Sequence, residues 1–261
     1  MQDELTISLI QYDIIWENAN VNLTKLERFF EKVPEKTDLI ILPEMFPSGF
    51  TMMPFHVAET MQGNTLTWLR QKAHFMKKAI TGSLIIKEGE RYYNRLIFAE
   101  PDGIIHVYDK RHLFTHAGED EHFTAGKKRL VIDYLGWRIC PLICYDLRFP
   151  VWSRNKNDYD LLIYVANWPE KRHDVWEILP QARAIENQSY VAAVNRIGKD
   201  NQGANHAGSS RILDYRGKVM EQASKEYEEI ITATLSFEQL HEFRKKFDFS
   251  ADADAFGLFI D

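Results

Sequence analysis

Cys144 stands where an apolar run, Trp137-Arg138-Ile139-Cys140-Pro141-Leu142-Ile143, gives way at once to Tyr145-Asp146-Leu147-Arg148. A thiol in that position is held by the core and points at a cleft, where an α/β protein puts a nucleophile. Two other strand-like runs end on reactive side chains: Ile40-Ile41-Leu42-Pro43 on Glu44, and Val107-Tyr108-Asp109 on Lys110. Taken singly, a Glu or Lys after a strand is ordinarily surface, and a Cys is ordinarily inert core. Together they make one chemical scheme. A thiol of pKa about 8.5 is mostly protonated at neutral pH. A nearby carboxylate takes its proton during attack, and a nearby ammonium favours the thiolate and then an oxyanion. No His is placed to act as the base; His112, close to Lys110, reads as a core or surface side chain.

For the scheme to work, three strand ends must converge. Strand-like and helix-like segments alternate almost throughout. Strands are expected over residues 5–11, 38–42, 79–87, 92–100, 104–109, 130–134, 137–143, 160–165, 190–196, 209–214, 218–223 and 229–235, and helices over 20–32, 65–78, 149–155, 174–187 and 237–246. Pro101-Asp102-Gly103, Leu135-Gly136 and Asp214-Tyr215-Arg216-Gly217 are turn signals between strands. They imply hairpins, and so mixed rather than purely parallel sheets. With no linker, low-complexity segment or internal repeat, residues 1–261 are expected to form one α/β domain in which helices cover two packed sheets.

Composition narrows the function classes. The chain has 261 residues, 45% of them hydrophobic, with 16 Phe, 11 Tyr and 6 Trp, enough for a sizeable core. A net charge of −6 with both signs interspersed argues against nucleic acid, since Lys127-Lys128-Arg129 and Arg244-Lys245-Lys246 are short and read as solvated surface. The acidic N-terminus does not read as a signal peptide, and no stretch approaches the roughly 20 apolar residues of a membrane span. A cytoplasmic protein is expected. Cys140 and Cys144, four apart on one strand, would have Cα atoms about 13 Å apart, too far for a disulfide, which suits a reducing compartment. Cys140 reads as a small buried hydrophobe. The His and Cys spacings suggest no metal site.

Three segments carry a resemblance. Leu42-Pro43-Glu44-Met45-Phe46, Asp109-Lys110-Arg111-His112-Leu113-Phe114 and Cys144-Tyr145-Asp146-Leu147-Arg148-Phe149-Pro150 resemble the signature segments of the nitrilase/carbon–nitrogen hydrolase superfamily. Asn167-Trp168-Pro169, Arg183-Ala184-Ile185-Glu186-Asn187 and His206-Ala207-Gly208-Ser209-Ser210 follow in the family's order. The second and third signatures look most like the omega-amidase branch, which hydrolyses the side-chain amide of 2-oxo acids such as 2-oxoglutaramate and 2-oxosuccinamate.

The resemblance implies a four-layer αββα sandwich, a Glu44–Lys110–Cys144 triad, no metal or organic cofactor, and a homodimer acting on a small-molecule amide and water. It also implies a second carboxylate between the Lys and the Cys. Glu119, Asp120 and Glu121 compete for that place; counting back from Gly126 favours Glu119, with Glu121 the alternative. The backbone N–H of Tyr145 would join Lys110 at the oxyanion. Arg148 would bind the substrate's far carboxylate, unless it forms a structural ion pair with Asp146 or a neighbour. Phe46 and Trp168 would wall the pocket or belong to the core. Arg183 and Glu186 read as a structural or interface pair. Another superfamily amidase, a nitrilase, an N-carbamoyl amide hydrolase, or a catalytically silent partner-binding member are the rival readings.

Overall fold

Leu39 to Leu42 are all fully buried, yet they serve two different cores. Leu39 and Ile41 face inward with Leu5, Ile7 and Leu9, while Ile40 and Leu42 face outward with Ile80 and Ile97. Successive side chains of a strand point to opposite faces, so a continuous apolar run marks a strand covered on both sides. The computed structural model of the chain describes residues 2–258. The ends of the expected 1–261 domain, residue 1 and residues 259–261, lie outside them.

Twelve of the strands form two six-stranded sheets. The first runs Glu229–Ser236, Glu4–Gln11, Leu39–Ile41, Ala79–Glu88, Arg91–Ala99, Ile105–Asp109. Its second, third and fourth strands are parallel and the remaining pairs antiparallel. The second sheet runs Val219–Gln222, Arg211–Leu213, Tyr190–Asn195, Leu161–Ala166, Trp137–Ile143, Ile132–Tyr134, again with a parallel centre. Helices Ala19–Phe30 and Asn64–Met76 cover the first sheet through Leu26, Phe30, Leu66 and Leu69. Helix His173–Asn187 packs on the second through Trp176 and Ala184. The result is the mixed-sheet α/β sandwich expected from the hairpin signals. Besides the one-turn helices Pro54–Val57 and Glu119–His122, a two-stranded hairpin of Ile197–Lys199 and Asn205–Ala207 went unread. Its sequence, Lys199-Asp200-Asn201-Gln202-Gly203-Ala204-Asn205, has no apolar alternation to reveal it.

The two short basic runs are not simply solvated surface. Lys127 and Lys128 are exposed, but Arg129 pairs with Asp158. Arg244, from helix Phe237–Lys246, reaches Asp160 Oδ1 at 2.7 Å and the Gln188 carbonyl at 2.8 Å. Arg138 donates to both Asp160 oxygens at 3.0 and 2.8 Å. Asp160 is fully buried, so burial alone would push its carboxyl up, but Arg138 and Arg244 reverse this and hold it below the usual aspartate range. This carboxylate ties the C-terminal helix to the start of the interior strand Leu161–Ala166 of the second sheet.

Asp160→Asn keeps the shape and strands two guanidiniums, so unfolding in urea should show a loss of about 3 kcal/mol at neutral pH. Because the folded pKa is depressed, the ionic stabilisation is complete above the unfolded value of about 3.9 and disappears as pH falls through the folded one. The gap between wild type and variant should therefore narrow below about pH 4; a constant gap down to pH 2 would rule the ion pairs out as its source.

Candidate active site

The reactive side chains sit one or a few residues beyond three strands: Glu44 after Leu39–Ile41, Lys110 after Ile105–Asp109, Cys144 after Trp137–Ile143. The first two come from one sheet and the third from the other. The structure brings them together in one buried cluster. Lys110 Nζ lies 2.9 Å from Glu44 Oε1 and 2.9 Å from Glu119 Oε2, and all three side chains are at most 1% exposed. Glu119 is the second carboxylate; Asp120 and Glu121 are exposed. The Glu119 carboxylate also accepts the Phe114 N–H at 2.6 Å.

Asn94, in the strand Arg91–Ala99, was not anticipated. Its side-chain amide donates to Glu44 Oε1 at 2.8 Å and to Glu119 Oε1 at 3.3 Å, bridging the two carboxylates. Its sequence context, Arg91-Tyr92-Tyr93-Asn94-Arg95, has no apolar alternation that would single the amide out. Glu44 Oε2 accepts the Asn167 N–H at 2.9 Å and faces the Cys144 thiol.

Charge decides the resting state of this cluster. Burial by itself would push the Lys110 ammonium down, but Glu119 and then Glu44 outweigh it and hold it well above its ordinary value. Burial pushes Glu119 up; Lys110 opposes this and Glu44 adds to it. Burial and then Glu44 push the Cys144 thiol well up, and Lys110 does not reverse them. A thiolate here would add a further negative charge beside two carboxylates that share one ammonium. The cluster thus disfavours the thiolate. Cys140, fully buried in the strand, is pushed up to about 12 by burial and is inert packing.

Cys144 itself leaves the strand direction, with φ of 43°. A non-glycine residue held in the left-handed region needs its neighbours to fix it there. Asp146, fully buried, does so: one oxygen accepts the Ile143 N–H at 3.0 Å and the Tyr108 hydroxyl at 2.7 Å, the other the His112 N–H at 3.0 Å. His112 Nδ1 lies 2.8 Å from that second oxygen, and its ring stacks on Phe149 at 3.7 Å, a structural use of the side chain. Arg183 donates to the Leu147 carbonyl at 3.1 and 2.8 Å and to Glu186 at 2.9 Å. The Arg183–Glu186 pair is thus structural and braces the nucleophile turn.

A cavity of about 410 Å³ opens over the cluster. Tyr145, Arg148 and Trp168 line it; Phe46 does not. Phe46 is fully buried in the outer core beside Trp68, in the same cluster as Ile40 and Leu42. Phe50 stands in the cavity instead, its ring 5.1 Å from Lys110 Nζ. Arg148 lies over the Trp168 ring at 5.1 Å and not against Asp146, whose oxygens are taken. Arg172, Lys171 and His116 also line the cavity, with Asp200, Gln202 and His206 from the unread hairpin. Burial, then Arg196, pushes His206 down to about 4, so it is neutral at pH 7. Among the described residues no group of three or more His, Cys, Asp or Glu is placed to hold a metal ion.

The family model for carbon–nitrogen hydrolases matches residues 6–245. The chain belongs to the carbon–nitrogen hydrolase family. It is thus a hydrolase of amide carbon–nitrogen bonds. It is 44% identical to omega-amidase YafV of Escherichia coli K12 over 97% of this chain and 98% of that one. It is 34% identical to 2-oxoglutaramate amidase of Bacillus subtilis 168, covering 92% of this chain and 94% of that one. Among solved structures, XC1258 of Xanthomonas campestris, a CN-hydrolase superfamily protein with an arsenic adduct in its active site, superposes with a TM-score of 0.96. That pair is 41% identical, over 99% of this hydrolase and all of XC1258.

Gly126 closes the loop that brings Glu119 back to Lys110. Its N–H donates to the Lys110 carbonyl at 2.9 Å, and a Cβ there would lie 2.1 Å from the Asp109 carbonyl oxygen. Gly126→Ala should therefore force the loop off the strand, costing about 2 kcal/mol in denaturant unfolding and lowering kcat. A variant with full activity and stability would show that the loop closes without this contact.

Proposed function

We propose that this hydrolase is an omega-amidase that releases ammonia from the side-chain amide of a 2-oxo acid such as 2-oxoglutaramate or 2-oxosuccinamate. The observation that carries the reading is the Cys144 thiol lining one cavity with the buried Glu44–Lys110 pair, with an Arg148 guanidinium on the rim that no carboxylate of the described residues neutralises. The two relatives named for omega-amidase and 2-oxoglutaramate amidase activity support it.

In this scheme Glu44 takes the Cys144 proton as Sγ bonds to the amide carbon. The oxyanion is held by the Lys110 ammonium and the Tyr145 N–H. As the intermediate collapses, the carbon–nitrogen bond breaks and Glu44 returns its proton to the departing nitrogen, which leaves as ammonia. Water then gives a proton to Glu44 and adds to the thioester carbon. Collapse of this second intermediate breaks the carbon–sulfur bond, frees the acid and restores the thiol. Glu119 and Asn94 keep Lys110 and Glu44 in register. Arg148 takes the far carboxylate, since a planar guanidinium donates two parallel hydrogen bonds to it. Trp168 walls the pocket and carries Arg148. We further propose that residues 1–261 act as one domain, in a cytoplasmic homodimer, on a small molecule and not on nucleic acid or a membrane. The free thiols and the net charge of −6 support this, and among the described residues no helix is long and apolar enough to cross a membrane.

Ammonia release should be fastest with 2-oxoglutaramate in a panel that includes glutamine, N-carbamoyl-β-alanine and a simple nitrile. A preference for one of the others would reassign the enzyme within its superfamily. Cys144→Ala should abolish turnover in a folded protein, whereas Cys140→Ala should lower stability by about 1 kcal/mol and spare chemistry. Glu44→Gln should slow acylation by about 10²-fold or more. A silent, partner-binding protein would show no turnover with any amide and no substrate adduct on Cys144.

Arg148→Met removes a charge-assisted contact worth roughly 1.5–3 kcal/mol. On 2-oxoglutaramate kcat/KM should fall by about 10- to 150-fold, and on a neutral amide of similar length far less. Equal losses on both would mean that Arg148 supports the nucleophile turn instead.

A further inference from the structure

Arg148 is not alone on the rim. Arg172, half-buried at the N-cap of helix His173–Asn187, lines the same cavity. Its guanidinium lies over the Phe114 ring at 4.9 Å, as that of Arg148 lies over Trp168 at 5.1 Å. Neither guanidinium has a carboxylate or carbonyl partner among the described residues. Trp168 links the two: its face carries Arg148, and its indole N–H donates to the Arg172 carbonyl at 2.8 Å. A guanidinium stacked on a ring keeps its hydrogen-bonding edge free while losing rotational freedom. Burial pushes the Arg172 guanidinium down, and Cys144 and Arg148 are the next groups to act on it, so all three share one field.

Little negative charge opposes the pair. Of the lining residues only Glu44 and Asp200 are carboxylates. Glu44 is fully buried and bound to Lys110, and Asp200 spends Oδ1 on the Gln202 and Ala204 N–H groups at 2.9 and 2.8 Å. His206, neutral by burial, adds no negative charge.

We propose that Arg172 is the specificity-determining residue that makes this site choose a 2-oxo acid amide over the corresponding 2-amino acid amide. It forms with Arg148 a two-guanidinium clamp in which the 2-oxo acid's end is held. The inference rests on the omega-amidase reading above and assigns its selectivity to a residue. A 2-oxo acid presents a carboxylate and an adjacent carbonyl oxygen, all acceptors, to the two donor edges. The amino acid presents a carboxylate and an adjacent ammonium. The ammonium has no acceptor in the clamp and meets two fixed charges of its own sign in a partly desolvated mouth, where repulsion is poorly screened.

The test is kcat/KM for 2-oxoglutaramate, glutamine and the uncharged valeramide, in wild type, Arg172→Met and Arg172→Lys, with thermal unfolding as a check on folding. Arg172→Met should lower 2-oxoglutaramate turnover by about tenfold or more, chiefly through KM. It should affect glutamine less, because relief of repulsion offsets the lost carboxylate contact. The 2-oxoglutaramate-to-glutamine ratio should thus contract by about tenfold, with valeramide changed less than about threefold. Arg172→Lys keeps the charge and should keep most of the ratio. An unchanged ratio in Arg172→Met, or equal losses on all three substrates, would overturn the role of Arg172 while leaving the omega-amidase reading intact. A wild-type enzyme without a preference for 2-oxoglutaramate over glutamine would overturn both.

Discussion

One ammonium shared between two buried carboxylates sets the conditions for everything around it. Lys110, Glu44 and Glu119 are out of water together, and none could stay ionised there alone, since an unpaired buried charge costs several kcal/mol. The loop from Lys110 to Gly126 must therefore close, the strand carrying Asn94 must register against the strand carrying Lys110, and Asn167 must offer its N–H from the opposite sheet. Each of these is a demand on the fold made by charge. The cluster also disfavours the thiolate.

The chemistry and its selectivity come from different kinds of structure. Glu44, Lys110 and Cys144 follow the ends of strands whose positions are fixed by the sandwich core. The rim comes from connecting segments: the stretch after Leu161–Ala166 that holds Asn167, Trp168 and Arg172, and the hairpin tip around Asp200 and Gln202. Strands packed on both faces hold a geometry to a fraction of an ångström, as acyl transfer requires. Loops tolerate exchange. A family built this way keeps one reaction and varies what it accepts.

Legibility followed the same division. Strands buried on both faces announce themselves by unbroken apolar runs, so the places of Glu44 and Cys144 could be read from residues such as Ile40 and Ile143. The strand before Lys110, Ile105–Asp109, is instead a partly exposed edge strand marked mainly by the turn signal Pro101-Asp102-Gly103. Polar hairpins carry no such run, and Ile197–Lys199 with Asn205–Ala207 was missed. Phe46 was misplaced because it joins Ile40 and Leu42 in the outer core and does not follow Glu44 into the site. Arg244 looked like surface because its partner Asp160 lies 84 positions away. Glu119 could be favoured over Glu121 by counting from Gly126, but only burial separates them. Arg172 carries no local signal; its importance arises from Phe114 and Trp168, which the fold brings to it.

The left-handed turn at Cys144 sets the protein's survival against its usefulness. Such a conformation costs a non-glycine residue on the order of 1–3 kcal/mol, and the surrounding hydrogen bonds to Asp146 and Leu147 absorb that cost permanently, substrate or not. Glycine would sit there without complaint. Selection for heat resistance alone would thus drift toward a sturdier protein with no nucleophile, and a directed-evolution campaign on this scaffold that screens for folding without turnover would reward the loss of the enzyme.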